Sequence, residues 1–216
     1  MPWKPSGKPS SESERGYHHG NLREALIKAA RDLIKEKGPA GFTFADAARS
    51  AGVSPAAPYR HFRDREALLA GVAREGFQRF EAMLKTGWAN GKPDALTAFN
   101  NLGHAYLAFA RAEPAYYAAM FESGLPPDLD PELRAAGDRA FGVLRTAAEA
   151  LVQILPAKGR PPAMMMSLHL WSVAHGIASL FGRGDSGLRS LPMTADELLE
   201  SAMLIYLQGL GFPAKG

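Results

Sequence analysis

The chain has 216 residues, 46% apolar and 22% charged, which is enough to bury a sizeable core and too apolar for a disordered chain. It contains no cysteine, which excludes disulfides and thiolate metal sites. The net charge of +3 is unevenly placed: residues 1–80 carry 14 Lys and Arg against 9 Asp and Glu, while residues 81–216 carry 11 against 13. A basic front half points to a polyanionic partner on that side.

Residues 1–16 are rich in Pro, Ser, Gly and Lys without periodicity. They read as a flexible tail and lack the apolar run of a secretory leader. Beyond them, alternating β-branched runs are absent and Ala and Leu recur at helical spacing. The expected fold class is therefore all-α, with about nine helices. A first helix is expected over 22–37, ended by Gly38-Pro39. A short second helix follows the N-cap Thr43 and ends at Gly52. A third starts at Pro55 after the cap Ser54, with proline in the favoured first position. A long fourth helix follows Asp64 to about Lys85. Further helices are expected from Asp94 to before Glu113, over 114–123, from Asp130-Pro131 to about Leu155, and over 163–182. Thr194-Ala195-Asp196-Glu197 reads as the capping box of a last helix reaching about Leu210. The stretch 163–182 has no formal charge and is long enough to span a bilayer. In an otherwise amphipathic chain it reads as a helix buried between protein layers, and no membrane partner is expected.

The stretch from Phe42 to Leu69 carries the chemistry. Two short helices flank Ala51-Gly52-Val53, where small residues allow a close crossing and Gly52 can take the left-handed conformation of a sharp turn. This is the plan of a helix-turn-helix, whose second helix enters the DNA major groove. Tyr59, Arg60 and His61 place a phenol, a guanidinium and an imidazole in succession. All three can bind phosphate, and Arg60 could reach a guanine edge. Ser54 and the free N–H groups beside it could hold a phosphate, and Arg65 adds a cation.

Thr43 through Phe62, with Tyr-Arg-His-Phe closing the third helix and a basic residue three positions later, resembles the DNA-binding domain of the tetracycline-repressor (TetR) family. The resemblance covers about residues 17–69. It implies that Ala47, Ala48, Gly52 and Phe62 hold the three-helix unit together. It also implies that Thr43, Tyr59, His61 and Arg65 meet phosphates, while Ser54, Pro55, Ala56, Ala57 and Arg60 face the bases. Two departures stand out: Pro58 replaces an apolar residue, often Leu, that usually packs inward, and Arg65 replaces the usual Lys. Ala56 and Ala57 can touch thymine methyls but their side chains make no hydrogen bonds. Tyr17 to Arg23 resembles a lead-in found in part of the family. The tail before it, with Lys4, Lys8 and Arg15, would either follow the DNA backbone or reach the minor groove, or else be solvated.

The resemblance divides the chain into a tail (1–16), a DNA-binding domain (17–69) and a helical ligand-sensing and dimerisation domain (70–216). In the last, Tyr106, Phe109, Tyr117, Met120, Phe121, Trp171 and His175 are candidate wall residues of a pocket for a small apolar or aromatic effector. Trp171 and His175 lie one helical turn apart, and with Gly176 they look like the Trp-His-Gly signature of one class of C-terminal domain in the family. The helices 163–182 and 194–210 are the expected homodimer surface, which would match a palindromic double-stranded DNA operator. The implied function is a cytoplasmic, ligand-responsive transcriptional regulator, a repressor or alternatively an activator. No Gly-rich nucleotide loop, nucleophile elbow or zinc-helix motif occurs, so no enzyme activity, cofactor or metal is expected. A metal or haem site on the scattered His104, His169 and His175 is the rival reading, and their spacing does not demand one.

Overall fold

The computed structural model describes residues 19–126, 129–156, 160–182 and 192–212. The expected tail, the first two residues of the lead-in (17–18) and most of the Gly-rich loop after 182 lie outside the described residues. Within them the regular structure is helical: eight α-helices and two short 3-10 turns.

The first helix, α1 (His19–Lys37), starts three residues before the expected position. Leu26, Ile27, Ala30, Leu33 and Ile34 recur at helical spacing and are buried. Helix α2 (Phe44–Ser50) begins at Thr43, whose extended backbone and side chain form a capping box with Asp46. The Asp46 N–H donates to Thr43 Oγ1 at 3.1 Å, and the Thr43 N–H donates back to Asp46 Oδ2 at 2.9 Å. Hydrogen bonds from the Thr43 hydroxyl and N–H hold the Asp46 carboxyl below the usual carboxylate range.

The third helix departs from expectation. No helix starts at Pro55, and Ser54 makes no side-chain cap; the segment is a 3-10 turn over Ala57–Arg60. The cause is Pro58, which has no N–H for the i to i−4 bond that a helix starting at Pro55 would make to the Ser54 carbonyl. The local bonds run from the Ala57 N–H to the Ser54 carbonyl at 3.0 Å, and from the His61 and Phe62 N–H groups to the Pro58 carbonyl at 2.9 and 3.0 Å. Pro58 itself is buried, so it fills the inward position of an ordinary apolar residue while tightening the backbone.

Helix α3 (Arg65–Trp88) is capped by Asp64, which accepts from the Ala67 N–H at 2.8 Å. It is the central strut, packing on α1, α4 (Ala95–Ala112), α5 (Pro114–Phe121) and α6 (Pro131–Ile154). The boundary expected after Leu69 falls inside this unbroken helix. Leu68, Leu69, Val72, Phe80 and Leu84 bury its faces against several layers at once. A Cβ at Gly76 would lie 2.7 Å from Met120 Sδ and 3.1 Å from Tyr116 Cβ, so glycine there lets α5 lie close on α3.

Asp94 and Asp130 cap α4 and α6 as expected. Helix α7 (Ala163–Phe181) is long and apolar enough by composition to cross a membrane, yet it buries Met166, Leu170, Ala174, Ile177 and Ala178 against α4, α6 and α8 (Ala195–Gly209). The Thr194–Glu197 capping box opens α8. His104 Nδ1 and Asp196 Oδ1 lie 2.9 Å apart, and Arg111 also holds Asp196, which ties α8 to α4.

Candidate DNA-binding head and effector cavity

Ala47, Ala48 and Phe62 are buried at the centre of the head. Gly52 has φ +71°, and its N–H reaches the Arg49 carbonyl while the Val53 N–H reaches the Ala48 carbonyl. The left-handed residue turns the chain sharply between α2 and the 3-10 turn.

The candidate DNA-facing residues divide into two sets. Ser54, Pro55, Ala56, Tyr59 and Arg60 are exposed, while Ala57 and His61 are half-buried. The Tyr59 side chain stands 64% exposed, braced edge-on by Phe44 of α2 with ring centres 4.9 Å apart. Phe44 is a brace that the sequence reading passed over; its position opening α2 was the available signal. Thr43 and Arg65 are differently placed. The Thr43 hydroxyl donates to Asp46 Oδ2 at 2.7 Å, so its hydrogen is already engaged in the cap. Arg65 donates from Nε to the Phe42 carbonyl at 2.8 Å and also to the Pro39 carbonyl, with its guanidinium 4.6 Å from the centre of the Phe42 ring. A planar fork suits two carbonyls and an aromatic face together, and here it ties the α1–α2 loop to the start of α3.

In the body of the protein, a cavity of about 480 Å³ lies between α3, α5, α6 and α7. Its wall is almost wholly apolar, with Arg134 and Asp138 one turn apart on α6 as the polar exceptions. Phe77, Phe80 and Phe121 meet edge to face there, with Phe77–Phe121 centres 5.5 Å apart. Of the candidate wall residues, Met120, Phe121 and Trp171 line this cavity. Tyr106, Tyr117 and His175 form a hydrogen-bonded group beside it. The Tyr106 and Tyr117 hydroxyls lie 3.1 and 2.9 Å from His175 Nδ1, and the Trp171 indole N–H donates to the Tyr106 oxygen at 3.2 Å. Phe109 is fully buried against Phe80.

Burial sets the protonation of this group. It pushes both phenols up and His175 down, so the imidazole is neutral near pH 7. A neutral imidazole either accepts from one of these hydroxyls at Nδ1 or donates to one of them, according to its tautomer. The three histidines of the metal reading lie apart: His104 faces Asp196, His169 faces Tyr206 and His175 faces the two tyrosines.

The α6 wall was missed by the sequence reading. Leu133, Gly137, Phe141 and Leu144 line the cavity, as do Phe77 and Phe80 of α3. Their three- and four-residue spacings were visible, but the sequence does not say which helices face one another.

Helix α5 joins the cavity to the head. Ala119, Met120 and Phe121 face the cavity. On the same helix, the Tyr116 hydroxyl donates to Glu75 Oε1 at 2.7 Å, and the Tyr116 ring lies under Arg31 of α1 at 5.9 Å and Arg79 at 5.0 Å.

A three-element head with an exposed cationic and aromatic edge, carried on a helical body around an apolar cavity, defines a DNA-binding regulator. Residues 26–72 match the family model described as bacterial regulatory proteins, tetR family, and residues 99–205 match that of the tetracyclin repressor-like C-terminal domain. A solved structure of a protein of unknown function from Rhodococcus sp. RHA1 is similar at 32% identity, covering 91% of this chain and 98% of that one with a TM-score of 0.72. The TetR family transcriptional regulator PfmR from Thermus thermophilus shares the fold at 21% identity, 87% and 99% coverage and a TM-score of 0.61. Among curated relatives, the nucleoid occlusion factor SlmA of Marinobacter nauticus is 28% identical over 128 residues, 57% of this chain. The HTH-type regulator YobS of Bacillus subtilis is 27% identical over 100 residues, 46% of this chain. The matches span 63% and 51% of those two relatives. The chain belongs to the tetR family of transcriptional regulators, and is a DNA-binding regulator rather than an enzyme.

Proposed function

We propose that the protein is a cytoplasmic, ligand-responsive repressor that binds a palindromic operator as a homodimer and is released by a small apolar or aromatic effector. The observation that carries this reading is α5, which has one end in the apolar cavity and Tyr116 against the head. An effector among Phe77, Phe121 and Trp171 displaces α5 or holds it in place. Either outcome alters how Tyr116 bears on Glu75 and Arg31, and so where α1 sits. A difference of a few kcal/mol in effector affinity between the two head positions is enough to switch operator binding.

Tyr59, Arg60, His61 and the backbone around Ser54 are the DNA contacts in this reading. Tyr59 and His61 take phosphates, and Arg60 takes a phosphate or a guanine edge. Pro55, Ala56 and Ala57 offer apolar contact, so operator choice leans on Arg60 and on DNA shape. Thr43 and Arg65 act from behind, by holding α2 and the head's loop. The two-fold partner packs on the outer faces of α7 and α8, where Met164, Met165, Leu180, Leu204 and Ile205 are each exposed. A palindromic operator with half-sites one turn of DNA apart requires the two heads about 34–36 Å apart.

The test is fluorescence anisotropy on DNA from the gene's own upstream region, with apolar and aromatic compounds added. A compound that raises the melting temperature is expected to weaken operator binding. Compounds that bind the cavity and leave DNA affinity unchanged would contradict the switch.

A further inference from the structure

A second cleft, of about 670 Å³, lies between α1, α3 and α6, on the opposite face of α3 from Phe77 and Phe80. Its wall is polar where the effector cavity is apolar, and three arginines from three helices converge on it: Arg23 of α1, Arg74 of α3 and Arg139 of α6. Gln78, Glu75 and Glu132 complete the polar wall. The cleft is therefore shared by the head and the sensing body.

The arginines are only partly engaged. Arg23 lies with its guanidinium 5.2 Å from the centre of the Phe62 ring, and among the described residues it has no ion-pair partner. Arg74, 17% exposed, reaches Glu132 through one terminal nitrogen. Arg139 reaches Glu81 through Nε at 3.3 Å. A guanidinium has five N–H donors, so most of the donor capacity around the cleft is unmet by protein. The acidic wall residues compete weakly. Glu75 already accepts from Tyr116 and Arg79, and Glu132 is 73% exposed and can swing into solvent. Guanidinium forks recognise phosphate and carboxylate in bidentate geometry, and the volume is that of a small-molecule site.

We propose that this cleft binds a small polyanion, a phosphorylated or polycarboxylate metabolite, held between Arg23 of the head and Arg74 and Arg139 of the body. Such a ligand ties α1 to α6. It is a second input to the head, chemically distinct from the apolar effector and entering from the other side of α3.

The experiment is calorimetry and thermal melting of the full chain, without DNA, in pyrophosphate or citrate against chloride at matched ionic strength. Saturable binding with a raised melting temperature is expected in at least one arm. Pyrophosphate alone would identify the phosphorylated class, and citrate alone the polycarboxylates. R23Q and R139Q are expected to weaken that binding by about tenfold or more each, and E132Q to tighten it by freeing Arg74. Wild-type protein that melts identically in all three salts would overturn the proposal. So would unchanged binding in R23Q and R139Q. If R23Q weakens operator binding and leaves polyanion binding intact, Arg23 belongs to the DNA interface and the proposal fails. The wild-type and E132Q arms keep the test decisive should an arginine variant fold poorly, since Glu132 is exposed. All readouts omit DNA except the R23Q control, so failure here is separable from failure of the repressor reading.

Discussion

The Tyr116 hydroxyl donates a 2.7 Å hydrogen bond to Glu75, on a ring that also lies beneath Arg31 of the head. Burial raises the Glu75 carboxyl, and the bonds from Tyr116 and Arg79 outweigh it, leaving Glu75 below its usual range and charged. Tyr116→Phe keeps the ring and removes the bond. The expected loss is about 1–2 kcal/mol of stability, with operator affinity in the absence of ligand changed little. The effector's leverage on DNA binding is expected to shrink several-fold, read as the ratio of operator affinities with and without effector. An unchanged ratio would show that the signal bypasses Tyr116.

Arg65 was expected at a phosphate, but in the structure its guanidinium holds the Phe42 and Pro39 carbonyls. Arg65→Ala is expected to cost about 1–3 kcal/mol, since two carbonyl acceptors lose a charged donor. Its effect on DNA should come through head stability. Operator binding measured well below the melting temperature is then expected to keep its salt slope. A slope reduced by about one would show a direct phosphate contact.

Gly137 sits on the cavity wall, and a Cβ there would meet Phe77 ring carbons at 3.8–4.0 Å, an ordinary contact. A Cβ is therefore accommodated, and Gly137→Leu adds the rest of its side chain at the cavity wall. Replacing a helical glycine also adds up to about 1 kcal/mol of helix propensity. The expected phenotype is operator binding that no longer responds to effector, in a protein at least as stable as wild type. Retained induction would place the effector elsewhere.

His175 is half-buried against two phenols, and burial lowers its pKa. The unfolded chain therefore takes up this proton near the ordinary histidine value of about 6.5, before the folded state does. The contribution is complete above that pH and is lost as pH falls from there toward the folded value. Melting at pH 7.5 and 5.5 is expected to show a larger acid-induced drop for wild type than for His175→Gln. Equal drops would mean that the imidazole is not held neutral.

Local chemistry made much of this molecule legible from sequence. Asp64, Asp94, Asp130 and Thr194 each announce a helix start, and each caps one. The Gly52 turn and the buried Ala47, Ala48 and Phe62 follow from short-range sterics. The third helix was misread because Pro55 suits a first helical position, while Pro58 three residues later forbids the next hydrogen bond. The second proline prevailed. Arg65 and the α6 wall were illegible for a different reason. Their partners lie far along the chain (Phe42 for Arg65, Phe77 for Gly137), and spacing alone does not report which helices meet. The aromatic cluster of α4 and α5 was visible, but Tyr106 and Tyr117 turn toward His175 while Phe121 turns to the cavity.

The central claim is that the Tyr59–Arg60–His61 edge binds DNA specifically. Its most direct test is titration of the folded protein onto a candidate palindromic operator from the gene's upstream region and a scrambled duplex at several salt concentrations, with Arg60→Ala alongside. The account predicts tight, salt-dependent binding that prefers the palindrome. It also predicts that Arg60→Ala lowers either the sequence preference, by about 1–3 kcal/mol, or the salt slope, by about one. Equal affinity of the folded wild-type protein for both duplexes at every salt concentration would contradict it.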